Sequence, residues 1–267
     1  MTLHRTGIAL AAASLLTVTP AARADFAIAI SPPRFEVEGR PGQVLRHALT
    51  LNNGSALTAI LQVSTADWRL APDGTAAFTD ELAPDSCRPW VAIERRSVSL
   101  APGGQYKYRF EVTPPAGTPA RECRFALMFG GDGGAADVHG LRVPIAAQVA
   151  VIVYLRVGEA RPALRVEGST TGTLNQLGTP ALLVRNDGLA HGRVAGFLSG
   201  TDAAGMALDF QPATTPVLPG ETRVIPLVPS RQGGSGQQVA VRFPVTVKGR
   251  LELSEATPVE LDLRVGP

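Results

Sequence analysis

The chain has 267 residues, 45% of them hydrophobic, with 25 Lys and Arg against 23 Asp and Glu. So even a balance excludes the clustered basic charge that a nucleic-acid footprint needs. After the first residues, no segment has the roughly 20 uninterrupted apolar residues of a membrane span.

The amino terminus reads as a secretory signal. His4 and Arg5 precede an apolar run from Ile8 to Leu16, and Ala22-Arg23-Ala24 forms a small-x-small cleavage site before Asp25. A cleavable signal is therefore expected over residues 1–24. Its removal takes away Arg5 and Arg23 and no acid, leaving 23 basic side chains against 23 acidic ones. The mature chain is then near neutral, exported and without a membrane span.

The 28 glycines and 22 prolines sit between short β-like runs, and no long segment joins helical periodicity to caps. The pattern predicts strands at Phe35–Val37, Val44–Asn52, Ala59–Ala66, Trp90–Ile93, Tyr106–Val112, Arg124–Phe129 and Leu141–Val157. A second set is expected at Ala163–Val166, Ala181–Arg185, Arg193–Ser199, Thr222–Val228, Gln238–Val247 and Pro258–Val265. Many short strands with regular turn signals predict an all-β chain built of sandwiches.

The run from Leu141 to Val157 stands apart. Leu141, Val143, Ile145, Ala147, Val149, Val151, Val153, Leu155 and Val157 are apolar at every second position, with Arg142, Pro144, Gln148 and Arg156 among the residues between. At roughly 3.3 Å per residue this strand reaches about 55 Å, more than one small sandwich needs for its own core. The segment before it, Phe129–Gly140, is glycine-rich and predicts a mobile loop. Asp132 and Asp137 lie in it, but the glycine spacing misses the known calcium repeat and the ligands are too few.

The chain also repeats itself. Leu49-Thr-Leu-Asn-Asn-Gly54 and Leu182-Leu-Val-Arg-Asn-Asp-Gly188 are each followed by a strand. Later in each half a Pro-Gly turn, Pro102-Gly103 or Pro219-Gly220, precedes another. Two related sandwiches are expected, near 25–156 and 157–267. The cysteines, Cys87 and Cys123, form an even, minimal count that favours one disulfide in an oxidising compartment, with two buried free thiols as the other reading.

Residues 27–157 resemble the periplasmic pilus-assembly chaperones, the PapD-like family of two immunoglobulin-like domains. The resemblance is carried by Ile30-Ser-Pro-Pro-Arg-Phe-Glu-Val-Glu-Gly39, Leu100-Ala-Pro-Gly103, Arg121-Glu-Cys-Arg-Phe125, the alternating strand and Arg156. It implies two tandem immunoglobulin-like sandwiches in the periplasm, acting on exported pilus-type subunits whose own immunoglobulin-like fold is incomplete. Such a chaperone lends a strand to the gap in its client, by the general physics of strand addition to an open edge. The resemblance makes Leu141, Val143, Ile145, Ala147 and Val149 the donor residues and Arg34 the residue that binds the client's terminal carboxylate. It pairs Glu122 with Arg156 to fix the angle between domains, and implies an outer-membrane usher as a further partner.

One position departs from the family's pattern. The family's lysine, the partner of its first-strand arginine, falls on Ile152, which cannot bind a carboxylate. Either Arg34 acts alone, another arginine substitutes, or the client is not held by its terminus. The two cysteines are also outside the family's usual first-domain pattern.

Enzyme signatures are missing. There is no Gly-x-Ser-x-Gly elbow, no His-Glu-x-x-His and no phosphate-binding glycine loop, and His47, His139 and His191 have no local base-and-nucleophile context. Glu36 and Glu38 share a strand face and read as solvated, and Asn53-Gly54-Ser55 reads as a turn rather than a glycosylation site. No cofactor or metal is expected. The function read from the sequence is a periplasmic chaperone for pilus-type subunits acting by donor-strand complementation. The alternative is a secreted two-sandwich structural or adhesion module that uses the long strand only internally.

Overall fold

A computed structural model describes residues 26–138, 141–234 and 236–266, with residues 132–138 and 141–145 described by their backbone alone. The predicted signal at 1–24 and His139 lie outside the described residues. Ten strands precede residue 158: β1 (Ile28–Ser31), β2 (Arg34–Gly39), β3 (Leu45–Asn53), β4 (Ala59–Leu70), β5 (Ala76–Thr79), β6 (Val91–Ile93), β7 (Ser97–Leu100), β8 (Gln105–Val112), β9 (Arg121–Val138) and β10 (Leu141–Val157). They form two facing sheets, one ordered β1-β3-β8-β6 and the other β2-β10-β9-β4, with β5 and β7 attached to β4.

The core between these sheets follows from alternation. In β8, Tyr108, Phe110 and Val112 are fully buried, while Lys107 and Arg109 point to solvent. Beside them in the same sheet are Leu49 and Leu51 of β3, and facing them from the other sheet are Leu61, Phe125, Leu127, Phe129, Val151, Val153 and Leu155. Tyr108 is tolerated because its hydroxyl donates to the Arg95 carbonyl at 2.7 Å. The Cys87–Cys123 disulfide is present, with Cα atoms 6.0 Å apart, and ties the turn before β6 to the base of β9.

A second sandwich holds β11 (Leu164–Leu174), β12 (Leu177–Asn186), β13 (Val194–Thr201), β14 (Ala207–Pro212), β15 (Thr222–Arg231), β16 (Val245–Leu253) and β17 (Val259–Val265). Its strand order is β11-β12-β15-β14-β13-β16-β17. β15 joins the two layers, because Thr222–Pro226 pair with β12 and Leu227–Arg231 pair with β14. A separate core fills it, with Leu182, Val184, Leu198, Leu208, Phe210, Ile225, Leu227, Val245 and Val247 buried.

Both sandwiches carry the same buried asparagine. Asn53 donates its amide to the carbonyls of Leu57 (2.7 Å), Leu100 (3.2 Å) and Ala101 (3.0 Å), and its own N–H reaches the Gly104 carbonyl. Asn186 donates to Ala190 (2.8 Å) and Val217 (2.9 Å), with its N–H on the Glu221 carbonyl. In each case the partners are the carbonyl four residues on and the approach to the Pro-Gly turn. The repeated sequence is thus a repeated device, a buried side-chain amide tying the turn after its own strand to the approach of the Pro-Gly turn.

The glycine-rich segment is a correction. It was expected as a mobile loop, yet its backbone continues β9 to Val138 and pairs with β10 as far as Leu141. Ladder hydrogen bonds depend on the backbone, so composition did not decide the matter. β1, β5, β7 and β14 are four to six residues long and were absent from the expected set.

Asn53→Ala and Asn186→Ala should each cost about 2–3 kcal/mol, since several buried carbonyls lose their donor. Asn186→Asp should do no better, because a carboxylate cannot donate. Denaturant midpoints measure this, and unchanged midpoints for both alanine variants would contradict the shared role.

Candidate functional site: the open edge of β10 and the junction between the sandwiches

β10 is paired on one side along its whole length by β9, from Val138↔Leu141 to Arg121↔Val157. On its other side the parallel strand β2 covers only Ile152–Val157. β2 begins at Arg34 because Pro32 and Pro33 precede it and have no N–H to extend the ladder. Ahead of them the chain has already crossed to the opposite sheet as β1. Among the described residues, 141–151 of β10 therefore have no strand on that edge, a stretch of about 36 Å.

The direction of the free groups can be read from the end of the ladder. The Gly158 N–H donates to the Gly39 carbonyl at 2.9 Å, so even-numbered residues of β10 turn their N–H and C=O toward β2. Odd-numbered residues then face β9. On the open stretch, Ala146, Gln148 and Ala150 present their backbone groups outward.

Side-chain burial changes along the same strand. Val151, Val153, Leu155 and Val157 are fully buried in the first core, whereas Ala147 and Val149 on the same face are only partly buried. The side chains of the other nominated donor residues, Leu141, Val143 and Ile145, lie outside the described ones. Opposite Ala147 stands Gly131, where an added Cβ would come within 2.8 Å of the Phe26 ring. Glycine there lets Phe26 pack over the end of the sandwich.

Arg34 sits directly beside Ile152 in the β2–β10 register. Its guanidinium is half-exposed and reaches the Glu36 carboxylate at 2.9 Å. Ile152 packs with Ala66, Trp68, Ala126 and Met128 on the outer face of the same sheet. The lysine slot counted from the sequence is therefore Arg34's neighbour, and it is apolar.

The expected pair between Glu122 and Arg156 is corrected. They are register partners across β9 and β10, but neither makes its ion pairs with the other. The Glu122 carboxylate has no exposed side-chain surface; it accepts the His191 backbone N–H at 2.9 Å and lies 2.5 Å from His191 Nδ1, with Arg124 at 3.3 Å. Arg156 pairs instead with Glu38 and with Glu255 of the second sandwich. Each of the two thus makes its own polar contact across the junction, where one shared pair was expected.

His191, Arg193 and Arg223 were not singled out for this role in the sequence. The His191 ring lies 4.0 Å from Tyr154, centroid to centroid, and Arg193 Nη1 is 2.9 Å from His191 Nε2. Arginine can only donate, so Nε2 accepts and Nδ1 carries the hydrogen aimed at Glu122. Arg193 also reaches Glu36 at 2.8 Å, and with Tyr154, Arg156 and Glu255 these residues line a polar cleft of about 140 Å³. At the far side of the junction, the buried Arg223 guanidinium donates to the carbonyls of Leu70, Ala71 and Pro72, holding the β4–β5 turn. The hydrogen bonds from His191, Arg193 and Arg223 to the first sandwich span 69 to 157 residues of sequence, and no local pattern announces them.

Burial raises the Glu36 carboxyl, but the nearby charges of Arg193 and Arg34 and the hydrogen bond from Arg193 outweigh it and hold the group below its ordinary value. Its contribution to stability is therefore complete above the ordinary glutamate range and is lost as pH falls through the lowered value. Glu36→Gln should flatten the decline of the denaturation midpoint as pH falls below the ordinary glutamate range. Parallel declines in both proteins would contradict the pairing.

No family model matches the chain, and no curated protein matches it. Among solved structures it is similar to the YadV chaperone, with TM-score 0.48 and 11% identity over 89% of this chain and 98% of that one. It is similar to the class 5 fimbriae chaperone CfaA at TM-score 0.47 and 13% identity, covering 90% of this chain and 100% of that one. A third similar structure is the Salmonella enterica SafA pilin in complex with the SafB chaperone, at TM-score 0.46 and 14% identity, covering 91% of this chain and 99% of that one. Among the described residues no helix is long and apolar enough to cross a membrane, and no cluster of three or more His, Cys, Asp or Glu is placed to hold a metal ion.

Proposed function

We propose that this chain is a periplasmic chaperone that holds exported pilus-type subunits by lending them the open edge of β10. In this reading residues 1–24 are a cleaved signal, 25–156 form the client-binding domain and 157–267 a second immunoglobulin-like domain. The observation that carries it is the unpaired stretch 141–151, a strand edge with outward backbone groups beside a face of alternating apolar residues. A subunit lacking its final strand has the complementary deficit, an open groove with unpaired backbone on both sides. Leu141, Val143, Ile145, Ala147 and Val149 are the side chains offered to that groove.

Arg34 is proposed to meet the client's terminal carboxylate, exchanging Glu36 for it. A guanidinium suits that exchange because both partners are carboxylates of the same geometry. Ile152 beside it adds no charge, so carboxylate capture falls to arginine alone.

The test is affinity purification from periplasmic extract after co-expression with neighbouring exported proteins, comparing wild type with a Val143→Asp, Ile145→Asp double variant. Two groove-filling side chains are worth about 1–2 kcal/mol each, so the variant should retain roughly a hundredth of the captured subunit while its circular dichroism stays native. Equal capture by both proteins would sink the mechanism, and the absence of any incomplete immunoglobulin-like client would favour the structural module.

A further inference from the structure

Strand edges that stay unpaired need protection from one another, since two open edges satisfy each other's backbone groups. β17 shows one form of it. Among the described residues β16 is its only paired strand, and its exposed positions include Glu260, Asp262 and Arg264. The open stretch of β10 has no such run of charge. Its even-numbered residues, which face the open side, are Arg142, Pro144, Ala146, Gln148 and Ala150.

Pro144 is placed differently from a proline that merely interrupts a ladder. Between Pro144 and Ala146 the register shifts: β10 advances two residues while β9 runs three, from Ala135 to Asp132. The extra residue is in β9, within Gly133-Gly134, so the alternation of β10 continues through Pro144. Pro144 is even-numbered, and its nitrogen faces the open edge. It therefore costs the β9–β10 hairpin no hydrogen bond and removes a donor only from whatever would pair outside.

We propose that Pro144 interrupts the donor series on the open edge of β10 and so keeps two copies of this chain from zipping together along its full length. The occupant it acts against is a second copy, docked antiparallel about a two-fold axis, which would present the same edge in reverse. In that arrangement each copy lacks the Pro144 donor, leaving Ala146, Gln148 and Ala150 as the uninterrupted run. The inference needs only the open edge, and stands or falls independently of any client.

Sedimentation velocity over a wide concentration range tests it. Pro144→Val and Pro144→Ala each restore one donor per copy, and self-association should tighten about tenfold or more over wild type. Unchanged sedimentation of both folded variants overturns the inference. The edge assignment has its own control in a pair of adjacent substitutions. Gln148→Pro removes an outward N–H and should leave the melting temperature near wild type, whereas Ala147→Pro removes one bonded to β9 and should lower it clearly. If Gln148→Pro destabilises as much as Ala147→Pro, the even-numbered groups do not face outward and the inference falls.

Discussion

Pro32 and Pro33 offer no backbone donor, and the first sandwich is arranged around that deficit. A strand that could continue upstream of Arg34 would run beside β10 and close its edge. Instead the pairing stops at Ile152, and the chain crosses to the opposite sheet as β1. β10 goes on without a neighbour on that side while β9 still supports it on the other. The result is a strand stiffened from one edge and open on the other, with its lower half, Val151 to Val157, anchored in the core.

The second sandwich bears on this strand from its outer face. Tyr154 of β10 stacks on His191, and the neighbouring strand supplies the buried Glu122 that accepts two hydrogens from the same histidine. A carboxylate with no exposed surface is costly unless its lone pairs are filled, so Glu122 makes this contact demanding of geometry rather than merely adhesive. Arg223 performs a comparable task at the β4–β5 turn, donating to the carbonyls of Leu70, Ala71 and Pro72. The Cys87–Cys123 disulfide lies one residue from Glu122 and braces the strand that carries it. The junction and the open edge are therefore properties of the same two strands.

Much of this was legible in the sequence where the signal was periodic. The alternating run predicted a strand at Leu141–Val157, and β10 has those bounds. The repeated Asn/Asp-Gly and Pro-Gly turns marked two sandwiches, and the structure adds what the repeat is for, a buried amide at Asn53 and Asn186. The even cysteine count gave the disulfide. What was illegible depended on pairing across long separations. Composition marked residues 129–140 as a loop, but pairing with β10 drew the backbone into β9 as far as Val138. Glu122 and Arg156 are register partners across β9 and β10, yet the second sandwich offers each a different partner from the pair that was expected. His191 had no motif around it because Glu36, Glu122 and Tyr154 reach it from β2, β9 and β10, and only Arg193 is near it in sequence.

The direct measurement of the open edge is residue-resolved amide hydrogen exchange by NMR on the purified chain. The account predicts fast exchange at Ala146, Gln148 and Ala150 and slow exchange at Ala147, Val149 and Val151, which face β9. Bound to a partner strand, the three fast amides should become protected. Uniform protection along residues 146–151 of the free monomer would contradict an open edge.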